Sequence, residues 1–568
     1  MSEKKQQKLE LTWIGKEKRP RLEPRVLVED SEKSHHAAMR RRGGKDIFNN
    51  MLIHGDNLLA LKALEANYQG KIKCVYIDPP FNTGAAFENY DDGLEHSIWL
   101  GLMRERIQMI YVLMHDSGSF FIHLDDNEVD YCKIILDEIF GRSNFVNRIT
   151  IEARAPSAFA TVNPGVFKST EYILWYAKDK TKFIDRSVRI KRDPDYAYNK
   201  WIDNPEADCS KWTFSTVTDA FNLRVKLRSA NPKTILDKFK AFIVENSNRV
   251  CRFASISDSG AGQKILEMKK KSIENPHRMF FMKRDDGLDD VYVIGGQQLI
   301  FYSKNVGVID GETCATRLLT NIWTDIAWEG IATEGGVTFR KGKKPERLIR
   351  RILDLVTNPG DLVLDSFLGS GTTAAVAHKM GRRWIGVELG DHCYTHCKVR
   401  LDKVIDGEDQ GGITKAVGWK GGGGYRFFEL APTLIKEDAY GQKIINPEYD
   451  AEKLAEAVCK LEGFTYSPSE SEYFIHGHST ERDYIYVTTN YLKAEHLRAL
   501  SDQVGPERSL LICCKGFSSG VKLPNLTVKK IPKAVLDKCE YGHDDYSLNV
   551  KNLPMAAPEL EQGELELG

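Results

Sequence analysis

Asp78-Pro79-Pro80-Phe81-Asn82-Thr83-Gly84 follows an apolar run, Cys74-Val75-Tyr76-Ile77, that predicts a buried strand. Two prolines cannot continue a sheet ladder, so the chain must turn directly after Asp78. A carboxylate, two rigid prolines and an aromatic ring are thereby placed at the carboxyl end of a strand. Ligands of open α/β sheets collect in the crevice at that edge. The stretch suits methyl transfer to an exocyclic amine. An amine such as N6 of adenine is a poor nucleophile, because its lone pair is delocalised into the ring. Asp78 and the carbonyl of Pro79 can each accept one N–H and favour a pyramidal nitrogen, while Phe81 stacks on a flipped base. Positioning and electrostatics carry such a reaction. Taken alone, the same residues make an ordinary turn with a core phenylalanine.

A second stretch lies far downstream. Asp365-Ser366-Phe367-Leu368-Gly369-Ser370-Gly371-Thr372-Thr373 follows another strand-like run, Leu362-Val363-Leu364, and opens a helix predicted over Ala374 to Met380. Gly369 and Gly371 let the backbone turn tightly and approach a ligand closely. This is not a full G-x-G-x-x-G, and no P-loop lysine follows. The next strand, Trp384 to Val387, ends in Glu388, roughly 20 residues beyond the loop, a spacing that suits a ribose diol.

Together the two stretches resemble the motifs of the amino-group DNA methyltransferases. The target-base motif precedes the cofactor motif, with a long insertion between, which is the order of the β-class enzymes. The DPPF-NTG wording and the long amino-terminal half are most similar to Mod, the modification subunit of type III restriction–modification systems, over roughly residues 45–430. The resemblance implies a Rossmann-like α/β methyltransferase fold, S-adenosyl-L-methionine as cofactor, and N6 of adenine in double-stranded DNA as target. It implies that Asp78, Pro79, Pro80 and Phe81 line the target-base pocket. Asp365, Phe367, Gly369, Gly371, Thr372 and Glu388 would hold the cofactor. Lys344-Pro345, just before a helix predicted over Glu346 to Val356, match the family block that cradles the methionine end of the cofactor. Asp56, ahead of a helix predicted over Leu58 to Ala66, is either a further cofactor contact or that helix's N-cap. Ser366 stands where the family usually has proline, which implies a looser turn.

The partners that the resemblance implies are duplex DNA, a second copy of this chain, and a separate restriction subunit carrying motor and nuclease, since no Walker A sequence is present here. The reaction needs neither a metal nor a covalent enzyme intermediate, because a sulfonium leaving group is already activated. A methyltransferase of another defence system or one standing alone, an N4-cytosine enzyme, and a catalytically silent DNA-binding scaffold are the other readings.

Composition sets the outer bounds. A chain of 568 residues is too long for one core, and 42% hydrophobic with 28% charged residues is a globular composition. A formal net charge of zero means that any DNA footprint is a local basic face. No run of about 18 apolar residues is present, and the polar start does not resemble a signal peptide, so no membrane and a cytoplasmic setting are expected; the resemblance implies a prokaryotic one. Eleven scattered cysteines suggest free thiols.

The expected layout is an amino-terminal arm (1–45), a target-base half (46–184), a target-recognition insertion (185–325), a cofactor half (326–435) and a small α/β interaction or dimerisation region (440–568). The arm ends in Arg40 to Lys45 and reads as a DNA-touching segment or a solvated tail. The insertion mixes basic patches with aromatics such as Trp201, Trp212 and Phe242. Asp125 to Glu128 read as helix-capping charges rather than a metal site. His392, Cys393, His396 and Cys397 read as one helix's packing rather than zinc ligands, because adjacent His–Cys pairs point about 100° apart.

Overall fold

Ile72–Ile77 is buried on both faces, as the apolar run Cys74 to Ile77 requires, and lies inside a ten-stranded sheet. A computed structural model of the chain describes residues 10–13, 15–38, 46–80, 96–154, 166–184, 186–226, 231–285, 288–339, 342–438 and 440–531, with 533, 539, 541 and 546 beyond. Phe81, the polar loop after it, Arg40 to Lys45 and the acidic carboxyl-terminal stretch lie outside the described residues.

In chain order the sheet takes β1 (Leu27–His36), β2 (Asn50–His54), β3 (Ile72–Ile77), β4 (Met114–Leu124) and β5 (Phe145–Glu152). It continues with β6 (Thr170–Ala177), β7 (Ile322–Trp323), β8 (Leu362–Asp365), β9 (Arg383–Glu388) and β10 (Gly424–Leu430). Across the sheet the order is β1-β10-β2-β9-β8-β3-β4-β6-β5-β7. The run from β10 to β4 is parallel, while β1 and β6 are antiparallel to their neighbours.

The connections decide where a ligand can sit. From β2 the chain passes through α1 (Asn57–Tyr68) to β3, and from β3 through α2 (His96–Leu113) to β4. Both steps move one way across the sheet. After α3 (Val129–Phe140) and the rest of that half, α4 (Glu346–Val356) leads into β8. From β8, α5 (Thr372–Lys379) leads to β9, moving the other way, and α6 (Val399–Asp406) precedes β10. Right-handed crossovers place helices of opposite travel on opposite faces. Accordingly Leu61, Leu64, Trp99, Met103, Ile107 and Leu136 of the first three helices share one buried cluster, and α5 packs on α4 and α6. Travel reverses between β3 and β8, whose register sets Val363 beside Cys74 and Leu364 beside Val75. A crevice opens at such a switch point.

Four charged side chains with no solvent exposure to speak of tie the second half together. Glu346 accepts from Lys379 (2.8 Å) and Arg400 (2.8 Å), and Lys379 also meets Asp409 (2.7 Å). Further contacts hold the cluster: Oε2 of Glu346 accepts from the Ile413 amide, and Arg400 donates to Thr372 Oγ1 at 2.7 Å. A side chain at Gly412 would meet Glu346 Oε2, so glycine is required there.

The described part of the arm does not hang free. Leu27–His36 is an edge strand on β10, Arg25 donates to the Ala431 carbonyl, and Lys16 is buried against Glu138. An edge strand has one solvent-facing side, which is why its sequence is too polar to betray it. Beyond β10, a five-stranded sheet pairs Asp483–Leu492 with Ser509–Phe517 in parallel across a helix, Ala494–Val504. This region is not separate: Val26, Ala431, Leu434 and Ile435 share its core with Leu454, Val458 and Ile485. Both segments fall in one compact unit.

Ser187–Thr320 forms the other compact unit. The insertion is thus shorter than 185–325, because Ile322–Trp323 is already a strand on β5. It holds an antiparallel six-stranded sheet and a three-stranded one. Trp201 and Phe242 stack at 5.2 Å in its core, and Arg224 covers the Trp201 ring. These aromatics build the unit's own interior. All eleven cysteines are free of disulfides, and among the described residues no helix is long and apolar enough to cross a membrane.

Replacing Lys379 by Met leaves the buried Asp409 without the ammonium it meets and Glu346 with Arg400 alone. The variant should lose about 3–5 kcal/mol of stability, read as a lowered unfolding midpoint in denaturant.

Candidate active site

Asp78 follows β3 directly and Asp365 ends β8, so adjacent parallel strands deliver two carboxylates to the same edge. Between them opens a narrow cleft of about 70 Å³ lined by Tyr76, Asp78, Pro79, Pro80, Lys344 and Asp365, with Phe339, Gly342 and most of the loop after β8 completing it. A wider groove lies at the opposite edge, around Lys71, Lys73 and Asp361, where the same strands begin. Switch-point geometry favours the carboxyl edge.

The two oxygens of Asp78 have different fates. Oδ2 lies 2.8 Å from Nζ of the buried Lys344. Oδ1 is buried and accepts no hydrogen bond among the described residues. Burial pushes the Asp78 carboxyl above its usual value, against the pull of Lys344 and His123. Burial also works against the Lys344 ammonium, but Asp78 and Glu171 outweigh it and raise its pKa. The second proline is fixed too, since the Trp99 indole donates to the Pro80 carbonyl at 2.7 Å.

The loop after β8 is held at nearly every peptide. Phe367 N–H donates to Asp365 Oδ1, Gly369 N–H to Glu388 Oε2 at 2.6 Å, and the Leu368 amide to the Val387 carbonyl. Cys397 Sγ donates to the Gly369 carbonyl, and Arg400 to that of Ser370. Gly371 takes φ 78° at the head of α5, and a Cβ there would lie 3.3 Å from the Cys397 backbone. Instead of loosening, the turn at Ser366 is tied by Asn57, whose amide donates to the Ser366 carbonyl at 2.8 Å. Burial pushes the Asp365 carboxyl up to about 7, with Asp78 and Glu388 adding and hydrogen bonds from Thr373 and Phe367 opposing.

The predicted residues separate into two groups. Asp78, Pro79, Pro80, Lys344, Asp365, Phe367, Gly369 and Thr372 line the cleft; Phe81 lies outside the described residues. Asp56, Pro345, Gly371 and Glu388 are not among the lining residues. Asp56 N-caps α1, accepting from the Leu59 amide at 3.0 Å, and pairs with Arg106 at 3.2 Å. Pro345 stands just ahead of α4 and aims Lys344. Glu388 receives the Gly369, Leu389 and Gly390 amides and His392, so its carboxylate is spent on shaping the loop. Lys344, which lines the cleft, also meets Asp78.

The segment Cys393–Lys398 is a π-helical turn, not a plain α-helix. Its side chains go different ways: His392 to Glu388, His396 to the Thr338 carbonyl, Cys397 to Gly369. Among the described residues no group of three or more His, Cys, Asp and Glu is placed to hold a metal ion. Glu128 is wholly buried and meets His96 at 2.7 Å instead of capping α3.

Sequence reading missed Tyr76, His123, Glu171 and Arg400. Their signals are faint. His123 interrupts an apolar strand, Phe120 to Leu124, and Glu171 opens another, while Arg400 looks like any helical arginine.

A family model named for N6 and N4 methylation and described as DNA methylase matches residues 72–398. A probable type III restriction-modification enzyme HindVI Mod subunit from Haemophilus influenzae is 34% identical over 75% of this chain and 59% of its own length. The type III EcoPI Mod subunit of Escherichia phage P1 is 26% identical over 70% of this chain and 64% of its own. The type II methyltransferase M.EcaI of Enterobacter cloacae is 28% identical over 60% and 67% respectively. The chain therefore spans about three fifths of the length of the Haemophilus relative it matches.

An acid whose folded pKa is raised binds extra protons in the folded state. Stability of the ligand-free chain should therefore fall as pH rises from the ordinary 3.8 to about 7. Asp365→Asn should flatten that slope by up to about 1.4 kcal/mol per pH unit, measured by denaturant unfolding across the window.

Proposed function

This chain belongs to the DNA methylase family, and from that premise we propose that it transfers a methyl group to N6 of adenine in double-stranded DNA, as the modification subunit of a restriction or phage-defence system. The observation that carries this reading is Asp78, with one oxygen held by a buried ammonium and the other buried and without a hydrogen-bond donor among the described residues. An open buried acceptor is costly unless a ligand completes it. An amine N–H is the donor that fits a carboxylate beside a proline carbonyl.

The target base is a flipped one, since a stacked base cannot bring its amine to Asp78. Oδ1 accepts one N–H and the Pro79 carbonyl the other, which turns the nitrogen lone pair towards the cleft. The cleft's lining also suits S-adenosyl-L-methionine: it opens at the switch point of the sheet, and a glycine loop with positive φ lets backbone approach a ligand closely. Asp365, Phe367, Gly369 and Thr372 would hold it from the β8 side. When bound, S-adenosyl-L-methionine supplies a methyl on a positively charged sulfur that keeps the bonding pair as the methyl leaves. As the nitrogen gains its new bond it sheds a proton, and Oδ1, already the acceptor, is placed to receive it and pass it to water. Preorganised positioning does the rest.

The likeness to Mod subunits supports a division of labour in which Ser187–Thr320 reads sequence, a second copy of the chain joins it, and a separate restriction subunit cuts, all in a prokaryotic cytoplasm. N4 of cytosine presents the same kind of amine, and the family name covers it. The experiment below separates the two.

Genomic DNA from cells expressing the wild type and Asp78→Ala should be sequenced by a method that reports modified bases. N6-methyladenine in one short motif, present with the wild type and lost with Asp78→Ala, is the expected result. N4-methylcytosine in its place would reassign the base. In purified protein Asp78→Ala should lower kcat by at least about 100-fold. S-adenosyl-L-methionine carries a positive charge that favours ionised Asp365, so its affinity should rise with pH up to about 7 and then level off. Titration calorimetry checks this, and Asp365→Asn should remove the dependence.

A further inference from the structure

Three strands and one turn, distant in sequence, converge behind Asp78. Tyr76 and Asp78 leave the same face of β3, His123 comes from β4, Glu171 from β6, and Lys344 from the turn before α4. Lys344 Nζ is 2.8 Å from Asp78 Oδ2 and 4.0 Å from Glu171 Oε2. The same Glu171 oxygen lies 2.8 Å from His123 Nε2, and His123 Nδ1 is 2.9 Å from the Tyr76 hydroxyl. Arg154 approaches the other Glu171 oxygen at 3.9 Å. Side-chain exposure is 7% for Lys344, 9% for Glu171 and zero for His123.

Such a set is an expensive way to join strands that are already joined. The β3–β4 and β4–β6 ladders are complete without it, and apolar residues of similar size would fill the space at lower desolvation cost. What the set accomplishes is local to Asp78. With Lys344 on Oδ2, the carboxylate cannot rotate its second oxygen into the cleft or share its proton acceptance between two positions. Glu171 and Arg154 bring the formal charge of the group to zero, so the ammonium is held from both sides and does not drift into the cleft. His123, oriented by Tyr76, fixes the rotamer of Glu171. Although burial opposes its charge, Lys344 and His123 hold Glu171 down to about 2, so it stays ionised across the physiological range.

Resting on the methyl-transfer reading above, we propose that Lys344, Glu171 and His123 are positioning residues for the reaction: they clamp one oxygen of Asp78 so that the other alone meets the target amine. None of the three is required to touch the base or the cofactor sulfur. The clamp therefore acts on turnover and leaves ligand affinity in place.

The test uses the purified full chain, S-adenosyl-L-methionine, and duplex DNA carrying the motif found by modified-base sequencing. Glu171→Gln, which keeps size, and Lys344→Met should each lower single-turnover kcat by about 10- to 100-fold. For Glu171→Gln, whose position is not among the cleft-lining residues, the dissociation constant for S-adenosyl-L-methionine and the KM for DNA should stay within about twofold. The groups facing Asp78 are Lys344, His123, Glu171 and Asp365. Without the ammonium, Asp78 keeps its proton to higher pH, so Lys344→Met should also move the acidic limb of the kcat profile up by about one pH unit. A structural role would move neither the limb nor the split between kcat and KM. Should Lys344→Met fail to fold, judged by loss of a cooperative unfolding transition in denaturant, Glu171→Gln decides alone. Unchanged kcat in Glu171→Gln, or equal losses in kcat and in both affinities, overturns the clamp while leaving the methyltransferase reading intact. A wild type that methylates neither adenine nor cytosine in any duplex overturns both.

Discussion

The ammonium of Lys344 and the carboxylate of Asp78 meet at 2.8 Å in a place where neither is well hydrated. A buried pair of this kind gains from Coulomb attraction only if its geometry is maintained and its remaining valences are filled. The surrounding structure can be read as the set of devices that maintain it. β3 delivers the acid, the turn before α4 delivers the base, and Glu171 on β6 steadies the base from behind. Because these pieces come from both halves of the catalytic sheet, the pair also fastens those halves together.

Two residues further on, Glu346 looks the other way. It takes Lys379 and Arg400, and Arg400 reaches the glycine loop through Ser370 and Thr372. Lys344-Pro345-Glu346 thus links the turn that holds the acid to the loop that faces it across the cleft. Proline between them limits the backbone to one arrangement. The loop itself is further pinned by Glu388 and Cys397, and the π-helical turn at Cys393–Lys398 places that cysteine beneath Gly369. π-Turns inside helices commonly mark functional sites.

The placement of Glu388 and Asp56 carries a general point about acids near a ligand loop. Each stands at a position where spacing suggests contact with a ligand. Yet Glu388 satisfies backbone amides of the loop, and Asp56 caps a helix and pairs with Arg106. An acid at a strand end or a helix start is in demand by nearby N–H groups, and these are always present, whereas the ligand is not. Shaping a loop and touching its ligand leave the same trace in a sequence.

Much of this protein was legible from residues alone. Apolar runs ending in Asp78 and in Asp365, a proline pair and a glycine pair dictate two strand–turn units, because period, φ restriction and positive φ are local properties. Their resemblance to a methyltransferase pattern implies the α/β class and the expected lining residues. The edge strand Leu27–His36, the true start of the main sheet after Thr320 and the shared core under the carboxyl-terminal sheet were not legible, since each depends on what lies across the ladder or beneath the face. The same holds for the site's charge balance. That Lys344 finds Asp78, that Glu171 and His123 stand behind it, and that one carboxylate oxygen is left open are facts of distance and burial among residues far apart in the chain. Only the tertiary structure decides them, because pairing of buried charges is set by proximity in space and sequence spacing encodes it only within a turn or a strand.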